Sequence, residues 1–69
     1  MPSSVIYDRH YDASTSRLTI TFVTGRIYVY EDVPSVVMAE FDAAGSKGEF
    51  FNARIRDHYR YHEITPTRE

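Results

Sequence analysis

The chain has 69 residues, no cysteine and a formal net charge of −2. A chain this short buries only about 60% of the surface it exposes when unfolded, so one small domain is expected, reinforced by neither disulfides nor thiolate-bound zinc. No segment approaches the roughly 20 apolar residues of a membrane span, and no basic start leads into an apolar run. The expectation is a cytoplasmic protein with no membrane partner and no small-molecule cofactor. Packing must then rest on six tyrosines and four phenylalanines, each of which buries a large area. The slight acidity runs against a generic polyanion-binding coat. Charge is nevertheless unevenly spread: Arg26 stands against Glu31, Asp32, Glu40 and Asp42, whereas Lys47, Arg54, Arg56 and Arg60 stand against Glu49 and Asp57.

In chain order, Val5, Tyr7 and Tyr11 recur on one side of a period-2 pattern interrupted by Arg9, and predict a first strand. The small polar residues from Asp12 to Ser16 predict a loop. Leu18-Thr19-Ile20-Thr21-Phe22 alternates apolar with threonine, the signature of a strand with one face on a core. Gly25 permits the positive φ of a tight turn, and Arg26 to Glu31 returns antiparallel. A two-residue Thr24-Gly25 loop sets Phe22 opposite Ile27, Ile20 opposite Val29, Thr21 opposite Tyr28 and Thr19 opposite Tyr30. The core face then reads Leu18, Ile20, Phe22, Ile27 and Val29, with both tyrosines on the other face. A three-residue loop with a bulge reverses this, placing Tyr28 and Tyr30 beside Phe22 and Ile20.

Val33-Pro34 opens a helix expected from about Pro34 to Ala44, with Val33, Val37, Phe41 and Ala44 on one stripe and Val36 and Met38 flanking it. Gly45 is a natural stop. Ser46-Lys47-Gly48-Glu49 matches a capping box and starts a second helix, about Lys47 to Arg56, in which Phe51 and Ile55 share a face. Asp57 to Ile64 alternates enough for a fourth strand or an extended strap. Residues 65–69 are expected to be disordered.

Several of these pieces together (Tyr11-Asp12, Leu18 to Phe22, Gly25, Tyr28-Val29-Tyr30, Val33-Pro34, Ser46-Lys47-Gly48, Phe51-Asn52, Ile55-Arg56 and Tyr59) resemble the KTSC domain. That family is named for a module at the C-terminus of some lysyl-tRNA synthetases and also occurs as small stand-alone bacterial proteins. The likeness spans about residues 4–64. Arg9-His10 departs from it, standing where the family more often has an apolar residue and glycine. The resemblance implies RNA binding, through the synthetase context.

Tyr28 and Tyr30 are the first candidate contacts: rings on an open sheet face stack unpaired bases, although the same rings serve as cross-strand packing over Thr21 and Thr19. Lys47, in the first turn of the second helix, is either a phosphate seat or a solvated residue beside a cap. Arg54 and Arg56 cannot face the same way on a helix. Arg60, between Tyr59 and Tyr61, repeats the basic-aromatic interleaving of single-strand binders and equally describes a strap. His58 and His62 lack a third ligand, so no metal site is expected, and no nucleophile elbow, nucleotide loop or carboxylate pair marks a catalytic centre.

The sequence therefore predicts an α+β domain: a three-stranded antiparallel meander, with the tail as a possible fourth strand, and two short helices on one face. Val37, Phe41, Phe51 and Ile55 complete the expected core. The expected function is a non-catalytic module binding RNA or a tRNA-like element through Tyr28, Tyr30, Lys47, Arg54, Arg56 and Arg60. The alternative is a protein-interaction or homodimerisation module using the aromatic face or a sheet edge.

Overall fold

The structure, a computed structural model, describes residues 6–64. Val5 and residues 65–69, expected as strand start and disordered tail, lie outside the described residues. Four strands, β1 (Ile6–Asp12), β2 (Arg17–Phe22), β3 (Ile27–Tyr30) and β4 (Tyr61–Glu63), form an antiparallel sheet in the order β1-β2-β3-β4. The tail thus supplies the fourth strand. Helix α1 (Ser35–Ala43) and a second helical segment, α2 (Lys47–Phe50) running on as a π-helical turn (Phe51–Ile55), complete the domain.

The hairpin register corrects the two-residue loop. Leu18 lies opposite Tyr30, Ile20 opposite Tyr28 and Thr21 opposite Ile27. Phe22 N donates to Arg26 O and Gly25 N to Phe22 O, both at 2.8 Å, leaving Val23-Thr24-Gly25 as the loop with Gly25 at φ 95°. A two-residue type I′ turn demands positive φ at both central residues, which the β-branched Thr24 resists. The three-residue loop confines positive φ to the glycine. The slip moves every side chain of β3 across the sheet: Tyr28 and Tyr30 join Leu18, Ile20 and Phe22, while Ile27 and Val29 pass to the opposite face beside Thr21 and Thr19, where Val29 is nonetheless buried.

The first strand is corrected in a similar way. Ile6 lies opposite Phe22 and Asp8 opposite Thr21, so Tyr7 is the extra residue of a β-bulge and stands 76% exposed. Beyond it Arg9 shares the core face with Ile20, and Tyr11 with Leu18. Arg9 remains exposed, because its guanidinium reaches out to Asp42 on α1. The Tyr11 hydroxyl donates to Val33 O at 2.6 Å and ties β1 to the start of α1. Between β1 and β2, Ser14 donates to Asp12 Oδ1 from its hydroxyl at 2.6 Å and from its backbone at 3.0 Å. These bonds favour the carboxylate and hold the Asp12 pKa below its ordinary value.

The core lies between one sheet face and the helices: Leu18, Ile20, Tyr30, Val33, Val37, Met38, Phe41, Phe51 and Ile55. Fully burying each large aliphatic or aromatic side chain stabilises the fold by about 1.5–3 kcal/mol. Pro34 caps α1 in extended geometry, and its carbonyl accepts from Val37 N at 3.0 Å. Met38 is buried, whereas Val36 is 61% exposed. Ser46 caps α2, its hydroxyl accepting from Glu49 N at 3.3 Å. The helix then widens: Arg56 N bonds back to Phe51 O at 2.8 Å, five residues away, where an α-helix would reach back four.

Candidate functional site

Where β3, β4 and the π-helical turn meet, aromatic rings gather. Tyr30 packs edge-on to Phe51 with centroids 5.4 Å apart and stacks with Tyr61 at 5.2 Å. Tyr28 lies 5.6 Å from Tyr61 and edge-on to Phe22 at 5.5 Å. The register places them together, since Tyr61 lies opposite Tyr30 and Glu63 opposite Tyr28. Between the rings and the π-helical turn opens a cleft of about 370 Å³ whose polar lining includes Thr24, Arg26, Asn52 and Arg56. None of its lining residues is acidic.

Tyr28 and Tyr30 differ in access. Tyr30 is 3% exposed and is chiefly a packing residue. Its burial, with the neighbouring Tyr61 and Tyr28 phenols adding to the effect, pushes its pKa up to about 12. Tyr28 is half-buried, and Tyr61 at 49% exposed presents the most open ring of the cluster. Two arginines stand at the cleft: Arg56 Nη1 donates to Asn52 Oδ1 at 3.4 Å, and Arg26 Nη1 reaches Glu63 at 3.4 Å.

Of the residues expected as contacts, the fold brings Tyr28, Tyr30 and Arg56 together in this cleft. It places Lys47 and Arg54 elsewhere. Lys47 Nζ donates to Ala44 O at 2.7 Å and Asp42 O at 3.2 Å, covering carbonyls at the end of α1. Arg54 pairs with Glu40 at 2.8 Å, and its guanidinium lies 5.2 Å from the Phe50 ring centroid. Arg54 and Arg56 therefore point to different partners, as helical spacing requires. The Arg60 side chain is exposed, and its carbonyl accepts from Glu31 N at 2.8 Å.

Among the cleft residues absent from the expected contacts are Arg26, Asn52 and Tyr61. The signal for Tyr61 was its alternation with Tyr59, which only the pairing of β4 converts into a position on the core-side face. Among the described residues no cluster of three potential metal ligands occurs, and no helix is long and apolar enough to cross a membrane.

The comparisons with known proteins agree with this architecture. The family model for the KTSC domain matches residues 2–65. Lysine–tRNA ligases of Trichormus variabilis and Nostoc punctiforme are 36% and 37% identical over 62 residues, which is 90% of this chain and 11% of each ligase. The chain thus spans a small part of those relatives. A protein of Stutzerimonas stutzeri is 35% identical over 65 residues, 93% of this chain and 92% of its own length. The crystal structure of a KTSC domain protein from Yersinia pestis shares the fold with a TM-score of 0.83 at 32% identity, covering 93% of both chains. A family model matched along almost the whole chain, with a solved member of the same fold, establishes that this chain belongs to the KTSC domain family.

Proposed function

We propose that this KTSC domain is a non-catalytic binding module that takes an unpaired nucleotide of an RNA into the cleft beside Tyr28 and Tyr61. One observation carries the reading: accessible aromatic rings and two arginines line the same concavity, with no acidic residue among its lining. Base–aromatic stacking contributes about 1–3 kcal/mol per base, and the arginines suit the phosphates. The cleft volume falls within the roughly 300–1,000 Å³ of ordinary small-ligand pockets. The likeness to a segment of lysine–tRNA ligases supports an RNA as the ligand.

Because the net charge is −2, attraction is local to Arg56 and to Arg26, which exchanges its exposed pairing with Glu63 for a phosphate. Neutralising two phosphates on a single strand gives a log–log salt slope of about −1.4, or roughly 25-fold weaker binding per tenfold rise in salt. Anisotropy titrations of labelled single-stranded RNA test this. Tyr28→Ala and Tyr61→Ala should each weaken binding by about 5-fold or more with the circular dichroism spectrum unchanged. Affinity no better than for polyglutamate of similar length overturns the reading.

A second reading is association with a protein, including a second copy, at the sheet edge. It draws on Tyr7 and Val23, 76% and 60% exposed, near the paired Ile6 and Phe22. It requires a salt-tolerant complex or a mass that rises with concentration in light scattering; a strict monomer with no partner counts against it.

A further inference from the structure

The choice of base follows from how Asn52 and Arg56 hold each other, an inference that rests on the RNA-binding reading above. The two residues stand four apart, Asn52 within the π-helical turn and Arg56 just after it, and Arg56 Nη1 donates to Asn52 Oδ1 at 3.4 Å. A guanidinium carries donors and no acceptor, so the amide must turn its oxygen toward Arg56 and its Nδ2 away. Both side chains are exposed and line the cleft. What this pair presents to a ligand is therefore the Asn52 amino group together with the remaining N–H groups of Arg56. Arg26, on the hairpin side, is paired with Glu63, so the unpaired donors at the cleft are those of Asn52 and Arg56.

We propose that the cleft selects an unpaired guanine over adenine, with Asn52 and Arg56 donating to guanine O6 and N7. The two purines are alike in ring area and both carry the N7 acceptor, so stacking does not distinguish them. They differ at C6, where guanine offers an oxygen acceptor and adenine an amino donor. The adenine amine would meet donors, leaving both sides without an acceptor.

The test is fluorescence anisotropy of the full chain with three short RNAs: an oligoadenylate, the same strand with one central guanosine, and that strand with 7-deazaguanosine, which lacks the N7 acceptor. The guanosine strand should bind about 5-fold or more tighter than the oligoadenylate, and 7-deazaguanosine should lose most of that gain. Asn52→Ala removes an exposed side chain, and Arg56→Lys keeps the charge but not the planar fork. Each should bring the guanosine and adenosine affinities together while retaining salt-sensitive binding. Equal wild-type affinities for the two strands overturn the base selection and leave RNA binding standing. Binding to none of the three overturns both. A guanine preference that survives in folded Asn52→Ala and Arg56→Lys variants overturns the assignment to this pair.

Discussion

Desolvation keeps the Tyr30 phenol protonated well into alkaline solution, moving its pKa from 10.0 to about 12. The linkage to stability has a definite sign. In the unfolded chain the phenol ionises near 10.0, whereas the folded chain holds its proton to about 12; between those values the native state binds more protons. Burying the neutral phenol is thus fully favourable below pH 10, and that contribution is lost as pH rises toward 12. Denaturant midpoints should fall over that window, and Tyr30→Phe, which has no proton to lose, should flatten the decline. An unchanged alkaline slope in Tyr30→Phe would show that another group carries it. Lys47 and Arg54 are a contrasting pair. Lys47 donates to the backbone carbonyl of Ala44 and Arg54 pairs with Glu40; both contacts are exposed, and an exposed ion pair contributes about 0–1 kcal/mol. Lys47→Ala and Arg54→Ala should lower stability by about 1 kcal/mol or less and change RNA affinity little in titrations at fixed salt.

At the scale of elements, the hairpin loop decides which tyrosine faces what. Its outcome was legible in Thr24, a β-branched residue standing where a type I′ turn requires positive φ. Gly25 is then the only residue of the loop free to take that conformation. Gly25→Ala meets no atom within 4 Å, so its cost is purely backbone strain at φ 95°, about 1–2 kcal/mol of stability by thermal or chemical melts. The Tyr7 bulge had no comparable signal, because an alternation read through Val5, Tyr7 and Tyr11 hides an inserted residue. Alternation in the tail was legible, but its pairing to β3 was not, and so Tyr61 escaped notice as part of the cleft. β4 has three residues, all exposed, and is fastened by bonds such as Glu31 N to Arg60 O and Ile64 N to Ile27 O. Short, solvent-facing elements open at low free-energy cost. Amide exchange along β4 should be faster than in β2, and an RNA ligand held against Tyr61 should slow it selectively.

For the molecule as a whole, the α+β class, the helix faces and most of the core followed from hydrophobic period and caps, because those patterns act within one element. Val37, Phe41, Phe51 and Ile55 are buried as their spacing requires. The core face of β3 and the membership of the cleft depend on register between elements, which a change of one residue in a loop inverts. The cleft is accordingly a property of the assembled sheet: Arg26 arrives from the hairpin, Tyr61 from β4, and Asn52 and Arg56 from the widened helical turn.

The extra residue in β1 bears on how the protein behaves when concentrated. β1 lies at one border of the sheet, where a regular strand would offer its backbone to the next molecule and template a fibre. With Tyr7 inserted, the ladder is broken near its start, and the charged Asp8 and Arg9 follow immediately. Deleting Tyr7 would straighten that border into an uninterrupted row of donors and acceptors. The deletion variant should gain thioflavin T fluorescence and lose clarity on storage at concentrations where the parent chain stays clear; a variant that remains as soluble as the parent would assign the bulge no protective role.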